Sequence, residues 1–148
     1  MSEPQTADPT VEAAVAHHRA GRLAEAEQGY RTALAADPTQ ARAAHNLGVL
    51  LQGRQQLDEA IRWFAAATEA DPQGTWWTSQ VRALTRAGRY QAAEDVLRRR
   101  GEQSPEAHAL EVDLRQRYRE LDARTQNIEE ALIELRQVDS SLQRTDRL

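Results

Sequence analysis

The chain contains no cysteine, so disulfides, thiolate metal sites and a cysteine nucleophile are all excluded. It contains no lysine either, and every one of its 19 basic residues is arginine. That fits codon usage in a GC-rich, bacterial genome. It equally fits selection for the bidentate carboxylate or phosphate contacts that a guanidinium makes and an ammonium does not. No apolar run approaches the roughly 18 to 20 residues of a membrane helix, so no membrane insertion is expected. The first residues, MSEPQTADPT, lack the basic and apolar regions of a signal peptide, and a cytoplasmic location is expected. A net charge of -4 argues against a nucleic-acid binder that works by neutralising phosphates.

Catalytic patterns are also missing. There is no paired acid and base, no phosphate-cradling glycine loop and no serine nucleophile motif. His17 and His18 are adjacent and so point to different helix faces, while His45 and His108 are isolated. We expect no enzyme activity, no cofactor and no metal.

What is present is repetition. In residues 41 to 74, Leu47-Gly48 is followed by Ala60, Phe64 and Pro72. The same trio occurs upstream as Ala26, Tyr30 and Pro38, and downstream as Ala93, Leu97 and Pro105, at periods of 34 and 33 residues. Such a period marks an array of stacked helix pairs. Asp8-Pro9 reads as an N-cap followed by proline in the first turn, and residues 1–7 before it read as disordered. One helix should run to about Ala20 and stop at Gly21, and the next should span Leu23 to Ala36. The second unit repeats the plan near 40–53 and 56–70, closed by Asp71-Pro72. In the third, Trp77, Val81 and Leu84 share one face, and Tyr90, Ala93 and Leu97 share the next. Small residues at matched places (Ala14 and Gly48, Ala26 and Ala60) let the two helices of a pair approach closely. Tyr30, Phe64 and Leu97 fill the space beside them.

These units resemble tetratricopeptide repeats, with the second copy the best match and the third partial. The resemblance implies an all-α fold, an antiparallel helix-pair array winding into a right-handed superhelix. The array would occupy residues 8–105, as units of about 8–38, 41–72 and 74–105. It implies a scaffold for binding and no particular chemistry. It also implies that the first helix of each unit lines a concave groove. On that face would lie Val11, Val15, His18 and Arg19; then Arg42, His45, Asn46, Val49 and Gln52; then Thr75, Thr78, Ser79, Arg82, Thr85 and Arg86. Arginines gather there and carboxylates are nearly absent, Glu12 being the close exception, which suits an acidic or extended protein segment. Members that grip a carboxy-terminal carboxylate use a lysine-asparagine clamp. Only Asn46 matches part of it, so a clamp of that kind is not expected.

Ser104-Pro105-Glu106 begins one long helix over 106–148, with no later proline or glycine. Leu114, Leu121, Ile128, Leu135 and Leu142 recur every seven residues. Leu110, Ala131 and Val138 suit a second column in which Arg117 and Arg124 do not, while Tyr118, Thr125 and Leu132 form a partly apolar shoulder. The proximal part should cap the array through Leu110, Leu114 and Tyr118. The distal part leaves an uncovered seam of Leu121, Ile128, Leu132, Leu135, Val138 and Leu142, which implies a partner helix, most simply a second copy. The expected function is a noncatalytic adaptor that oligomerises through this helix. The alternative is a structural subunit of a larger self-assembling complex.

Overall fold

The computed structural model describes residues 8–100 and 105–145, with side chains up to Arg99 and from Pro105 to Gln137. The expected disorder of residues 1–7, the Gly101 stop and the Ser104 cap lie outside the described residues. Every described element is an α-helix: α1 (Pro9–Arg19), α2 (Leu23–Ala36), α3 (Ala41–Gly53), α4 (Leu57–Ala70), α5 (Trp77–Arg86), α6 (Tyr90–Arg100) and α7 (Pro105–Thr145). The chain divides into two compact units, Met1–Leu110 and Glu111–Leu148.

In the first unit α1 packs on α2, α3 on α4 and α5 on α6, and the pairs stack through α2 on α3 and α4 on α5. The connections inside each pair follow one recipe. Gly21, Gln55 and Gly88 take positive φ of 74°, 64° and 71° just past the first helix. The following amide then donates to the carbonyl five residues back: Arg22 to His17 at 3.0 Å, Gln56 to Leu51 at 3.0 Å and Arg89 to Leu84 at 2.9 Å. This is the left-handed helix stop that satisfies carbonyls left over at the end of a helix. Between pairs an aspartate does the turning. Asp37 Oδ1 accepts from the Thr39 amide at 2.9 Å, and Asp71 Oδ1 from the Gly74 amide at 3.1 Å. At the start of α1, Asp8 Oδ1 accepts from the Thr10 amide at 2.8 Å, with Pro9 in the first turn.

The core lies between the helices of each pair. Tyr30, Phe64, Leu47, Leu51 and Val81 are its largest fully buried side chains. At Gly48 α3 meets α4 closely: a Cβ there would lie 2.7 Å from Cε1 and 2.8 Å from Cδ1 of Phe64. Trp77, Val81 and Leu84 are buried together, as are Ala93, Val96 and Leu97. Ala107 and Leu110, in the first turns of α7, are buried within the first unit.

The second unit is the remainder of α7. The whole helix has 41 residues, about 60 Å at 1.5 Å per residue. Its flanks carry ladders one turn apart: Arg115 with Glu111 at 2.6 Å, Arg117 with Asp113 at 3.4 Å, and Gln126 with Glu130 at 3.4 Å. Each adds a few tenths of a kcal/mol to an isolated helix.

Two substitutions of opposite sign test this account in urea unfolding. Gly48→Ala should cost about 1–2 kcal/mol, because overpacking against the Phe64 ring outweighs the gain in helix propensity. Gln55→Gly should add about 0.5 kcal/mol by relieving a left-handed non-glycine residue.

Candidate functional site

The first helices of the three pairs are joined by polar side chains into one face. Arg42 on α3 forms an ion pair with Glu12 on α1. Gln40, capping α3, donates from Nε2 to Asp8 Oδ2 at 2.7 Å. His45 on α3 and Ser79 on α5 share a hydrogen bond, Nε2 to Oγ at 3.0 Å. These links tie α1, α3 and α5 edge to edge.

Two clusters lie along this face. In the first, the sequence-expected residues His18, Arg19, Arg42 and Asn46 converge on the buried Tyr30. Nδ1 of His18 is 3.3 Å from the phenol oxygen, and its ring stands edge-on at 6.1 Å. Burial pushes the Tyr30 phenol up from its ordinary value, against the opposing pull of Arg42, an Asn46 hydrogen bond and Arg19. The phenol therefore stays neutral and polar, a hydrogen-bonding group within electrostatic reach of Arg42 and Arg19.

The second cluster centres on His45, which packs against Phe64 at 5.5 Å and Trp76 at 5.1 Å between ring centroids. The Trp76 indole N–H donates to Asp71 Oδ2 at 2.8 Å, which fixes the ring over the histidine. Burial pushes the His45 pKa down, with an Asn46 hydrogen bond opposing it. Its ring is thus held neutral near pH 7. Beside it opens a cleft of about 720 Å³ lined by Asp8, Val11, Gln40, Arg42, Asp71 and Trp76 among others.

Elsewhere on the face Val49 is exposed, Gln52 and Val15 are half-buried, and Thr78 donates its hydroxyl to the Thr75 carbonyl at 2.9 Å. Arg19, Arg82 and Arg86 are exposed and make no ion pair among the described residues. One expected member, Thr85, is only 5% exposed and donates its hydroxyl to the Val81 carbonyl at 2.9 Å, so helical phase set it on an open face that it does not reach. Val11 is buried as well, yet it lines the cleft. The scarcity of carboxylates also needs correction, since Glu12 lies against Arg42 and the cleft includes Asp8, Asp37 and Asp71. Tyr30 and Ser79 complete the clusters, and the 34-residue offset between His45 and Ser79 was the available signal for that pairing.

On α7, Leu121, Ile128, Leu132 and Leu135 are 46%, 61%, 48% and 64% exposed. The side chains of Val138 and Leu142 lie outside the described residues. Among the described residues no helix is long and apolar enough to cross a membrane.

Comparison with known proteins was made on sequence and on structure. Residues 17–85 match the family model described as tetratricopeptide repeat. Among solved structures, the chain is similar to the TPR2B domain of yeast Sti1, solved as a pHsp70 complex, at 19% identity and TM-score 0.62, over 74% of this chain and 99% of that one. It is similar to the first TPR of Spaghetti (RPAP3), bound to the HSP90 peptide SRMEEVD, at 18% identity and TM-score 0.62, over 76% and 93%. The Sgt2 TPR domain from Aspergillus fumigatus aligns at 16% identity and TM-score 0.67, over 82% and 85%. Identities this low establish a shared fold. A search of curated proteins gave no match.

The neutral, part-buried His45 generates a pH prediction. Its folded pKa lies below its unfolded value of about 6.5, so its contribution is complete above that pH and is lost as pH falls toward the folded pKa. Stability should decline from about pH 6.5 downward, before the carboxylates titrate. Urea midpoints between pH 7.5 and 5, with Trp fluorescence as reporter, should show the decline in the parent chain and little of it in His45→Gln.

Proposed function

We propose, for a chain whose residues 17–85 match the tetratricopeptide-repeat family model, that it is a noncatalytic adaptor that holds an extended, acidic protein segment on the face of α1, α3 and α5. In this reading residues 8–105 form three repeat units, and 106–148 form an arm through which the adaptor oligomerises. The observation that carries the binding reading is the set of exposed arginines at 19, 82 and 86. They lie on one face without carboxylate partners among the described residues, while Arg31, Arg54 and Arg89 are tied into ion pairs. An exposed guanidinium with free donors is suited to bidentate capture of a carboxylate. Asn46, Gln52 and Thr78 add hydrogen-bonding groups for a peptide backbone.

Two solved neighbours support a peptide ligand in general terms, since one was solved as a pHsp70 complex and the other with an HSP90 peptide whose sequence SRMEEVD is rich in acids. The ligand of this chain would be gripped differently. Lysine is absent altogether, so charge capture falls to arginine. A cytoplasmic site of action, with no cofactor and no metal, completes the proposal.

A second reading, a subunit of a larger assembly, draws on the outer face of the first pair. There Thr10, Ala13, Ala14, Ala24 and Gly29 line an open, mostly apolar hollow of about 460 Å³ in which another helix pair could stack. Sedimentation separates the two. A fixed oligomer favours the adaptor, and growth with concentration favours the assembly.

For the adaptor, Arg42→Glu with Arg82→Glu should weaken binding of a fluorescein-labelled, glutamate-rich peptide at least about tenfold. Arg82→Glu with Arg86→Glu, which leaves the Glu12 pair intact, should act in the same direction. Unchanged anisotropy titrations in both variants would remove this face as the binding site.

A further inference from the structure

The seam on the distal part of α7 has a charge pattern that selects its partner and its direction. Leu121, Ile128 and Leu135 are exposed at intervals of seven, flanked by exposed Leu132 and Thr125. In heptad terms the Leu114, Leu121, Ile128, Leu135 column is d, and Tyr118, Thr125 and Leu132 are a. The opposite assignment would bury Arg117 and Arg124 in the seam, where an unpaired cation is costly. With the first assignment those arginines fall at g, while Asp122 and Glu129 fall at e, the two positions whose charges decide coiled-coil pairing.

We infer that α7 pairs with α7 of a second copy as a parallel, in-register coiled coil, held in that orientation by Arg117 to Asp122 of the partner subunit and Arg124 to Glu129 of the partner subunit. This rests on the reading of α7 as the oligomerisation arm and adds the occupant, direction and register. In a parallel pair each g residue meets the e residue five positions on in the partner. Both arginines then meet acids, and two-fold symmetry doubles the contacts. An antiparallel pair in the same register sets e beside e and g beside g. Neither arginine at g then meets an acid at e, and where Asp122 faces Glu129 of the partner subunit, Arg124 faces Ala131. Like charges so placed disfavour that arrangement.

The single helix leaves these groups available. Asp122, Arg124 and Glu129 make no ion pair among the described residues, although their neighbours Arg115 and Glu111 do. Arg117 has only the 3.4 Å contact with Asp113 on its own helix. The seam therefore supplies apolar area, and the unpaired charges beside it supply the direction.

The test uses the full chain. Sedimentation equilibrium should show a dimer. Arg124→Glu should raise its dissociation constant roughly tenfold, as should Glu129→Arg, and the double variant should restore it. Because the chain has no cysteine, Leu135→Cys introduces a single thiol. In a parallel, in-register pair it lies beside its own copy and should oxidise to a disulfide-linked dimer. An oligomer that neither responds to charge reversal nor cross-links at position 135 would overturn the orientation while leaving oligomerisation standing. A monomer at high micromolar concentration would overturn both, and would leave a helix of another protein as the occupant of the seam.

Discussion

The contact on which the rest of the first unit depends is the approach of α3 to α4 at Gly48, against the fully buried ring of Phe64. Only a residue without a side chain admits the ring at that distance. The matched positions of the other pairs show what is being held constant. Ala14 accompanies Tyr30, Gly48 accompanies Phe64, and Val81 accompanies Leu97, all buried. Where the large side chain shrinks from an aromatic ring to leucine, the small one grows from glycine or alanine to valine. The sizes at the two matched positions change in opposite directions, as close packing favours. The third helix pair departs from the repeat pattern at these two positions.

This explains which parts of the fold were readable from sequence. Helix bounds at Leu23–Ala36, and the turns at Gly21 and Gly88, follow from local signals that no distant residue overrides. The matching turn at Gln55 adopts the same left-handed φ with a residue type that does not announce it, and only the period points there. Thr85 was misplaced for a different reason. Helical phase identifies the side of a helix, but the width of its covered stripe depends on how the adjacent pair overlaps it. That overlap is a tertiary property. The His45 cluster is the extreme case, since its environment is made by Phe64 from the next helix and Trp76 from the following turn. Trp76 in turn is positioned by Asp71, whose other oxygen caps the same turn.

The second unit was readable in a more limited sense. Its heptads predict one exposed apolar edge, and Leu121, Ile128, Leu132 and Leu135 have one. What a heptad reading alone left undecided was the second column, because both Ala131 and Leu132 are apolar. Charges at the flanks break that tie: only with Leu132 in the seam do Arg117 and Arg124 leave it.

The arginines connect fold and function. On the side of the second helices they act as ties between pairs: Arg31 bridges Glu27 and Glu59 at 3.0 and 2.8 Å, Arg54 pairs with Glu27, and Arg89 pairs with Asp58. Such exposed pairs add little stability individually, and they are screened by salt. Their larger effect is on where positive charge remains available. With those guanidinium groups neutralised on one side, and Arg42 committed to Glu12, the arginines of the repeat face without an ion pair among the described residues are Arg19, Arg82 and Arg86. On the proposed reading, a chain with a net charge of -4 would thereby present a locally positive binding face. On that proposed reading, the same guanidinium chemistry that ties helix to helix within the array is left open where a partner's carboxylates would arrive.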